Sequence, residues 1–339
     1  MKEKYKIGIV GSGFIARGLV TSLNGNGEFS VSKVLTRRNA RQVADELKIN
    51  SEMVTNSTSE IIDNSRSVVE CSGDPIYATG VLAQVLASGL NVVTMDSELQ
   101  VTTGSWLAKR GYITEAEGDQ PGSLAALNEE AKLMGFTPVV YGNIKGYLNH
   151  NPTREDMDYW SKRNGISIQQ VTSFTDGTKI QIEQALVANG LEATILTSGL
   201  LGIAEDELQI GAEKLAMAAE NTISPVSDYL LSRKLPAGIF IVGKHHSDQM
   251  EALRYFKMGD GPYYTLFRPF HLCHLEIPKT LRRVANGGEI LLNNGSSPTI
   301  SVAAIAKKEL HPGDKIEKAV GGFDARGTAV KAEKLKWAR

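Results

Sequence analysis

The chain has 339 residues, 42% of hydrophobic type, and 37 Lys and Arg against 38 Asp and Glu for a formal net charge of −1. That is enough apolar material for a sizeable core, and the balance excludes a general pull toward nucleic acid or anionic membranes. No apolar run is long enough to span a bilayer and residues 1–6 are charged without a secretory hydrophobic core, so a cytoplasmic location is expected.

Residues 6–16 read KIGIVGSGFIA, a β-branched run followed by Gly11-x-Gly13-x-x-Ala16. The spacing fits a dinucleotide-binding turn. Gly11 permits the tight turn, Gly13 lets backbone approach a pyrophosphate, and Ala16 keeps the next helix close to its strand. The helix start, with Phe14 and Ile15, offers N–H groups to the phosphates. Apolar runs at 30–35, 68–71, 91–93, 112–114 and 136–140 alternate with helical stretches such as 40–47 and 76–87. This rhythm predicts a doubly wound parallel sheet, a Rossmann fold, with Ser72 and Gly73 in the turn after 68–71 also at the cofactor. After the second strand comes Thr36-Arg37-Arg38, whose two guanidiniums suit the 2′-phosphate of NADP better than the ribose hydroxyls of NAD; the alternative is a solvated helix entry.

Cys71 and Cys273 form no CxxC motif and are expected to pack. Lys145 lies between Gly142 and Gly146 in an expected loop after the last strand of the nucleotide domain, either as a ligand-binding cation or as a surface lysine. In the run 175–189, Thr175 or Asp176 can cap a helix that Gly190 ends. Asp176, Lys179 and Glu183 then share one face, with Gln181, Gln184 and Ala185 pointing away. Periodicity leaves two readings open, a salt-bridged margin of the core or a catalytic face on which Lys179 donates a proton. In FRPFHLCHLE, residues 267–276, His271 and His274 are too few to hold a metal, and Arg268 suits an anionic group; no metal is expected. Residues 293–298 read as a linker.

Several strings taken together resemble the homoserine-dehydrogenase-like oxidoreductases with a carboxy-terminal SAF module, the group that includes deoxyxylulose-phosphate reductoisomerase-like enzymes. They are Gly118-Asp119-Gln120-Pro121-Gly122, Ser173-Phe174-Thr175-Asp176-Gly177-Thr178-Lys179, Ala188-Asn189, Arg268-Pro269-Phe270-His271 and Gly313-Asp314 ahead of Gly321-Gly322. The resemblance implies a dinucleotide-binding domain (1–140), an α+β catalytic and oligomerisation domain (141–292) whose last helix can return to the nucleotide domain, and a β-rich SAF-like segment (299–339) that lacks the usual closing strand. It also implies active-site roles for Lys179, Asp176, Lys145 and Glu183, substrate contacts by Gln120, Arg268 and His271, and a homodimer or larger assembly.

Two departures matter. Asn143 stands where the group suggests lysine. Thr94-Met95-Asp96-Ser97 lacks the lysine that homoserine dehydrogenases carry there, while the nearby Glu98 matches the reductoisomerase-like group, to bind a substrate hydroxyl or to accept backbone N–H bonds at a helix start. The expected activity is NADP-dependent reduction of a small hydroxy-carbonyl compound, a sugar- or polyol-derived phosphate. The alternatives are a homoserine or semialdehyde dehydrogenase-like activity and a non-catalytic dinucleotide sensor, against which the charged triplet speaks because a sensor needs no proton donor.

Overall fold

The computed structural model describes residues 3–335. Met1 and Lys2 of the charged amino-terminal run and residues 336–339 of the SAF-like segment lie outside the described residues. The elements begin with β1 (Tyr5–Val10), α1 (Phe14–Leu23), β2 (Phe29–Leu35), α2 (Ala40–Leu47), β3 (Val54–Thr55), α3 (Thr58–Asn64), β4 (Ser67–Glu70), α4 (Pro75–Ala87) and β5 (Asn91–Thr94). Next come α5 (Ser97–Leu99), α6 (Ser105–Ala108), β6 (Ile113–Glu115), α7 (Gln120–Leu133), β7 (Thr137–Lys145), α8 (Arg154–Asn164), α9 (Ile168–Thr175) and α10 (Thr178–Gly190). The remainder is β8 (Ile203–Ala204), α11 (Leu208–Ala218), β9 (Val226–Leu231), β10 (Ile239–Lys244), α12 (Met250–Tyr255), β11 (Tyr264–Arg268), α13 (Ile277–Ala285), β12 (Ile300–Ala306) and β13 (Ala325–Lys331).

The chain divides into two compact units, residues up to Ser123 with His271–Ser297, and Leu124–Phe270 with residues from Pro298 onward. In the first, six parallel strands run in the order β3-β2-β1-β4-β5-β6. This is the doubly wound order 3-2-1-4-5-6, with its switch point between β1 and β4. Helices cover both faces, so the middles of β1 and β4 are apolar: Ile7, Ile9, Val68 and Val69 are fully buried. Asp74 accepts a hydrogen bond from Tyr77 N and Pro75 opens α4, both favourable at a helix start. Helix α13, far along the sequence, returns here, and its Ile277, Leu281 and Val284 join the core that holds Leu19 and Val20 of α1.

Two sequence expectations change. Residues 137–140 of the run at 136–140 open β7 and belong to the second sheet, and the division falls at 123/124 and not at 140. The sixth strand of the first sheet is instead β3, two residues long. The expected linker is also fixed in part: Asn294 is buried, its side chain donating to Ser105 Oγ at 3.0 Å, and Asn293 Nδ2 donates to Ile113 O at 3.2 Å.

The second unit holds a five-stranded mixed sheet in the order β11-β10-β7-β9-β8. Helix α11 packs Ala212, Leu215 and Ala216 against Val140, Ile144, Val226 and Leu230. Helix α10 is tied to β7 and β9 by polar contacts: Ser227 Oγ donates to Gln184 O at 2.8 Å, and Gln184 Nε2 donates to Tyr141 O at 3.0 Å. Strands β12 and β13 form an antiparallel pair. They seat on α10, with Gly327 N donating to Thr178 Oγ1 and Ala329 N to Gln181 Oε1, at 2.9 and 2.8 Å. Gln181 and Gln184, expected to point away, are therefore buried, each with its side-chain amide paired to backbone groups, Gln184 through its nitrogen. Among the described residues no helix is long and apolar enough to cross a membrane.

Candidate functional site

At the switch point, Gly11 has φ +117°, and a Cβ there would stand 2.8 Å from Cys71 O and 2.9 Å from Ser72 Cα. Only glycine lets β1 turn so close to the end of β4. Gly13, the residue before α1, has no side-chain cap to offer, and a Cβ built on it meets nothing within 4 Å. There is thus open space at Gly13, and no side chain caps the first N–H groups of this ten-residue helix. Ala16 is fully buried, Phe14 is exposed and Ile15 half-buried. These residues fit a pyrophosphate.

Arg37 and Arg38 follow β2, each beside a carboxylate. The Arg37 guanidinium lies 2.8 Å from Asp74 Oδ2 and over the Tyr77 ring at 4.4 Å; Arg38 makes a bidentate pair with Glu46. The hydrogen bond from Arg38 holds the Glu46 carboxyl below its usual range. Both pairs are substantially exposed and so exchange readily for another anion.

The sequence reading passed over Glu70. It is fully buried at the end of β4, where Oε1 accepts from Ser72 N and Ser72 Oγ, both at 2.7 Å, and Oε2 accepts from Thr94 Oγ1 at 2.8 Å. Burial pushes its carboxyl up. The carboxyl shapes the Ser72-Gly73 turn, in which Gly73 has φ +65°. The only sequence signal was an acid closing an apolar strand. Burial also pushes the Cys71 thiol up, in keeping with a packing role. At α5 the helix start is capped by Asp96, whose Oδ1 accepts from Leu99 N at 3.1 Å; Glu98 is half-buried beside it, so of the two readings the capping one falls to Asp96.

In the second unit the charged run does not form one helix. α9 starts at a capping box between Ser167 and Gln170 and ends at Thr175, and Gly177 at φ +87° turns the chain into α10. Asp176 therefore stands at the joint. It is fully buried, its Oδ1 accepts from Thr178 N at 2.8 Å and its Oδ2 lies 2.6 Å from Lys307 Nζ. The active-site role expected of Asp176 becomes that of a positioning residue, since its carboxylate has no exposed surface and is paired with Lys307.

Glu183 keeps its place on α10. Its Oε2 takes Lys145 Nζ at 2.8 Å and Asn143 Nδ2 at 3.1 Å, with side-chain exposures of 20% for Lys145 and 3% for Glu183. Lys145 is the last residue of β7 and not a loop residue, so strand alternation sets it and Asn143 on the same face. From Thr178 to Ala188 every residue of α10 is buried except Lys179, which is half-buried one turn before Glu183. A cation and a carboxylate on one face, at least one pair shielded from water, can bind an anion and move a proton.

Residues 118–277 match the family model described as oxidoreductase DRL, catalytic domain. The chain is an oxidoreductase enzyme. A hyperthermophilic archaeal homoserine dehydrogenase in complex with NADPH superimposes with TM-score 0.52 at 15% identity, covering 85% of this chain and 100% of that one, which shows a shared fold. UDP-N-acetylglucosamine 3-dehydrogenase GnnA from Acidithiobacillus ferrooxidans aligns at TM-score 0.49 and 11% identity, covering 86% and 92%. A probable dehydrogenase from Thermotoga maritima aligns at TM-score 0.48 and 12% identity, covering 85% and 91%. No curated protein matches the sequence.

The matched stretch of the oxidoreductase includes the remaining expected contacts. Gln120 opens α7 but is buried. His271 Nδ1 lies 3.2 Å from Gly118 O, and Cys273 N donates to the same oxygen at 3.1 Å. Gly118, at φ +104°, has no room for a Cβ, which would fall 2.0 Å from Cys273 O. His271 thus helps hold two segments of the first unit together. His274 lies on a short 3-10 turn against Gly18, with the Phe14 ring at 6.0 Å, and burial lowers its pKa. Arg268 ends β11 with its guanidinium 5.2 Å from the Phe270 ring. Among the described residues no group of three or more His, Cys, Asp or Glu converges as a metal site.

Proposed function

We propose that this oxidoreductase uses NADPH to reduce the carbonyl of a small hydroxy-carbonyl compound, a sugar- or polyol-derived phosphate. The observation that carries the reading is the uncapped amino end of α1 behind Gly11 and Gly13, at the switch point of a 3-2-1-4-5-6 sheet. Gly11, Gly13, Phe14, Ile15 and Ala16 would hold the pyrophosphate, Ser72 and Gly73 would border it, and Arg37 and Arg38 would take the 2′-phosphate. The bound nicotinamide supplies a hydride.

The protein's own residues then have to manage charge. Hydride arriving at a carbonyl carbon leaves negative charge on oxygen, and a cation placed there favours the transition state over the ground state. Lys179 is assigned as the proton donor. Lys145, oriented by Glu183, which Asn143 holds in turn, binds an anionic group or shares the proton transfer. Arg268, Gln120, His271 and Glu98 remain assigned to the substrate side, His271 through the segments it holds together. The reading extends to a cytoplasmic homodimer or larger assembly, on the strength of the family resemblance, and a monomer by light scattering at micromolar concentration would remove that part.

NADPH oxidation followed with a panel of ketose phosphates and semialdehydes tests the reaction. Sustained turnover with a phosphorylated ketone is expected. Tight NADPH binding with no turnover on any member would leave a dinucleotide-binding sensor instead.

A further inference from the structure

The strands that carry Lys145 also frame a cavity with no assigned role. Lys145 of β7 pairs with Leu231 of β9, and Leu231 pairs in turn with Ala204 of β8. Ser232 N donates to Lys145 O at 2.9 Å, so the two chains leave the sheet side by side. Gly146 and Tyr147 on one of them, and Ser232 and Arg233 on the other, then line an open cavity of about 500 Å³. That volume suits a small molecule.

Charge selects the kind of molecule. Two acids line the cavity, and each is already matched: Glu205 lies 2.7 Å from Lys214 Nζ, while Asp206 accepts from Ser232 Oγ at 2.7 Å and lies 3.0 Å from Lys234 Nζ. These hydrogen bonds hold both carboxyls below their usual range. Arg233 is different. It is exposed, and its guanidinium lies over the Tyr147 ring at 5.6 Å. Stacking on a ring leaves the N–H edge of the guanidinium available, in a planar fork that matches two oxygens of a phosphate.

We propose that this cavity is the subsite for the phosphate group of the substrate and that Arg233 is the residue that selects it. The inference rests on the reading that Lys145 and Glu183 belong to the reaction site. It adds a reason for the enzyme to prefer a phosphate monoester over the free alcohol, and a residue that makes the choice.

Calorimetric titration of glycerol 3-phosphate and of glycerol into the full-length protein tests it. Glycerol 3-phosphate is expected to bind, and Arg233→Gln to weaken it by about tenfold to a hundredfold, the range for one charge-assisted contact. Glycerol is expected to bind far more weakly to both. Equal affinity in the unmodified protein and Arg233→Gln, or no binding to the unmodified protein, overturns the proposal. Arg233-dependent binding in a protein that reduces no carbonyl compound upholds the subsite and overturns the reaction. Turnover of a phosphorylated ketone with KM unchanged in Arg233→Gln does the reverse.

Discussion

Asp176 and Lys307 meet at 2.6 Å with side-chain exposures of 0% and 5%, joining the turn before α10 to the end of β12 across 131 residues of sequence. Lys307 Nζ also donates to Gly322 O at 2.7 Å, so the ammonium is well supplied with acceptors. The pair fixes where α10 begins, and α10 carries Lys179 and Glu183. The carboxy-terminal segment thereby supports the candidate site.

Removing one partner of a buried pair leaves the other charge without compensation, a loss of about 3–5 kcal/mol. Lys307→Met should therefore destabilise the protein strongly in urea unfolding, and Asp176→Asn combined with Lys307→Met should recover part of the loss. A double-mutant cycle reads the coupling. Additive effects of the two substitutions would show that the pair does not act as a unit.

Gly11 and Gly13 separate folding from binding. Gly11→Ala places a Cβ against Cys71 O at a φ that L residues avoid, and should cost about 1–3 kcal/mol in thermal or urea unfolding. Gly13→Ala meets nothing in the protein and should leave stability within about 0.5 kcal/mol, while its methyl group obstructs a pyrophosphate. Loss of NADPH binding in a fully folded Gly13→Ala protein is the expected result. Unchanged NADPH affinity would move the cofactor away from this turn.

What could be read from the sequence divides along physical lines. Strands β1, β4 and β5 were legible because parallel strands covered on both faces have apolar β-branched middles, β2 by its β-branched and apolar residues among polar ones, and the glycine spacing marks the turn that follows β1. The run at 136–140 was legible as a strand but not as a member of the second sheet, because an apolar run carries no record of its neighbours. β3 is too short to show a period. Lys145 and Glu183 were found as candidates, yet their contact depends on β7 lying under α10, and the break at Gly177 hid the different fate of Asp176. Nothing local in the sequence links Asp176 to Lys307.

Arg37 and Arg38 are expected to set cofactor choice. Their ion pairs with Asp74 and Glu46 are exposed, so replacing both arginines by alanine should change stability little. The same double substitution should weaken NADPH by tenfold or more, about the worth of one charge-assisted bond to phosphate, and leave NADH nearly unchanged. Fluorescence titration of both cofactors checks this. Equal losses for the two would mean that the arginines do not meet the 2′-phosphate.

Lys179 and Glu183 carry the chemical prediction. Lys179 is the half-buried residue on an otherwise buried stretch of α10, one turn from the carboxylate that holds Lys145 at 2.8 Å. A positioned proton donor contributes roughly 10²–10⁴-fold to turnover, so Lys179→Ala should lower kcat by about two orders of magnitude or more while NADPH binding persists. Glu183→Gln keeps the shape but removes the charge that orients Lys145. It should raise KM more than it lowers kcat if Lys145 binds an anionic group, and should lower kcat with KM unchanged if Lys145 shares the proton transfer. A Lys179→Ala protein that turned over its substrate at nearly the normal rate would make this face of α10 a structural cluster, and the donor would have to be sought among the other residues assigned to the substrate.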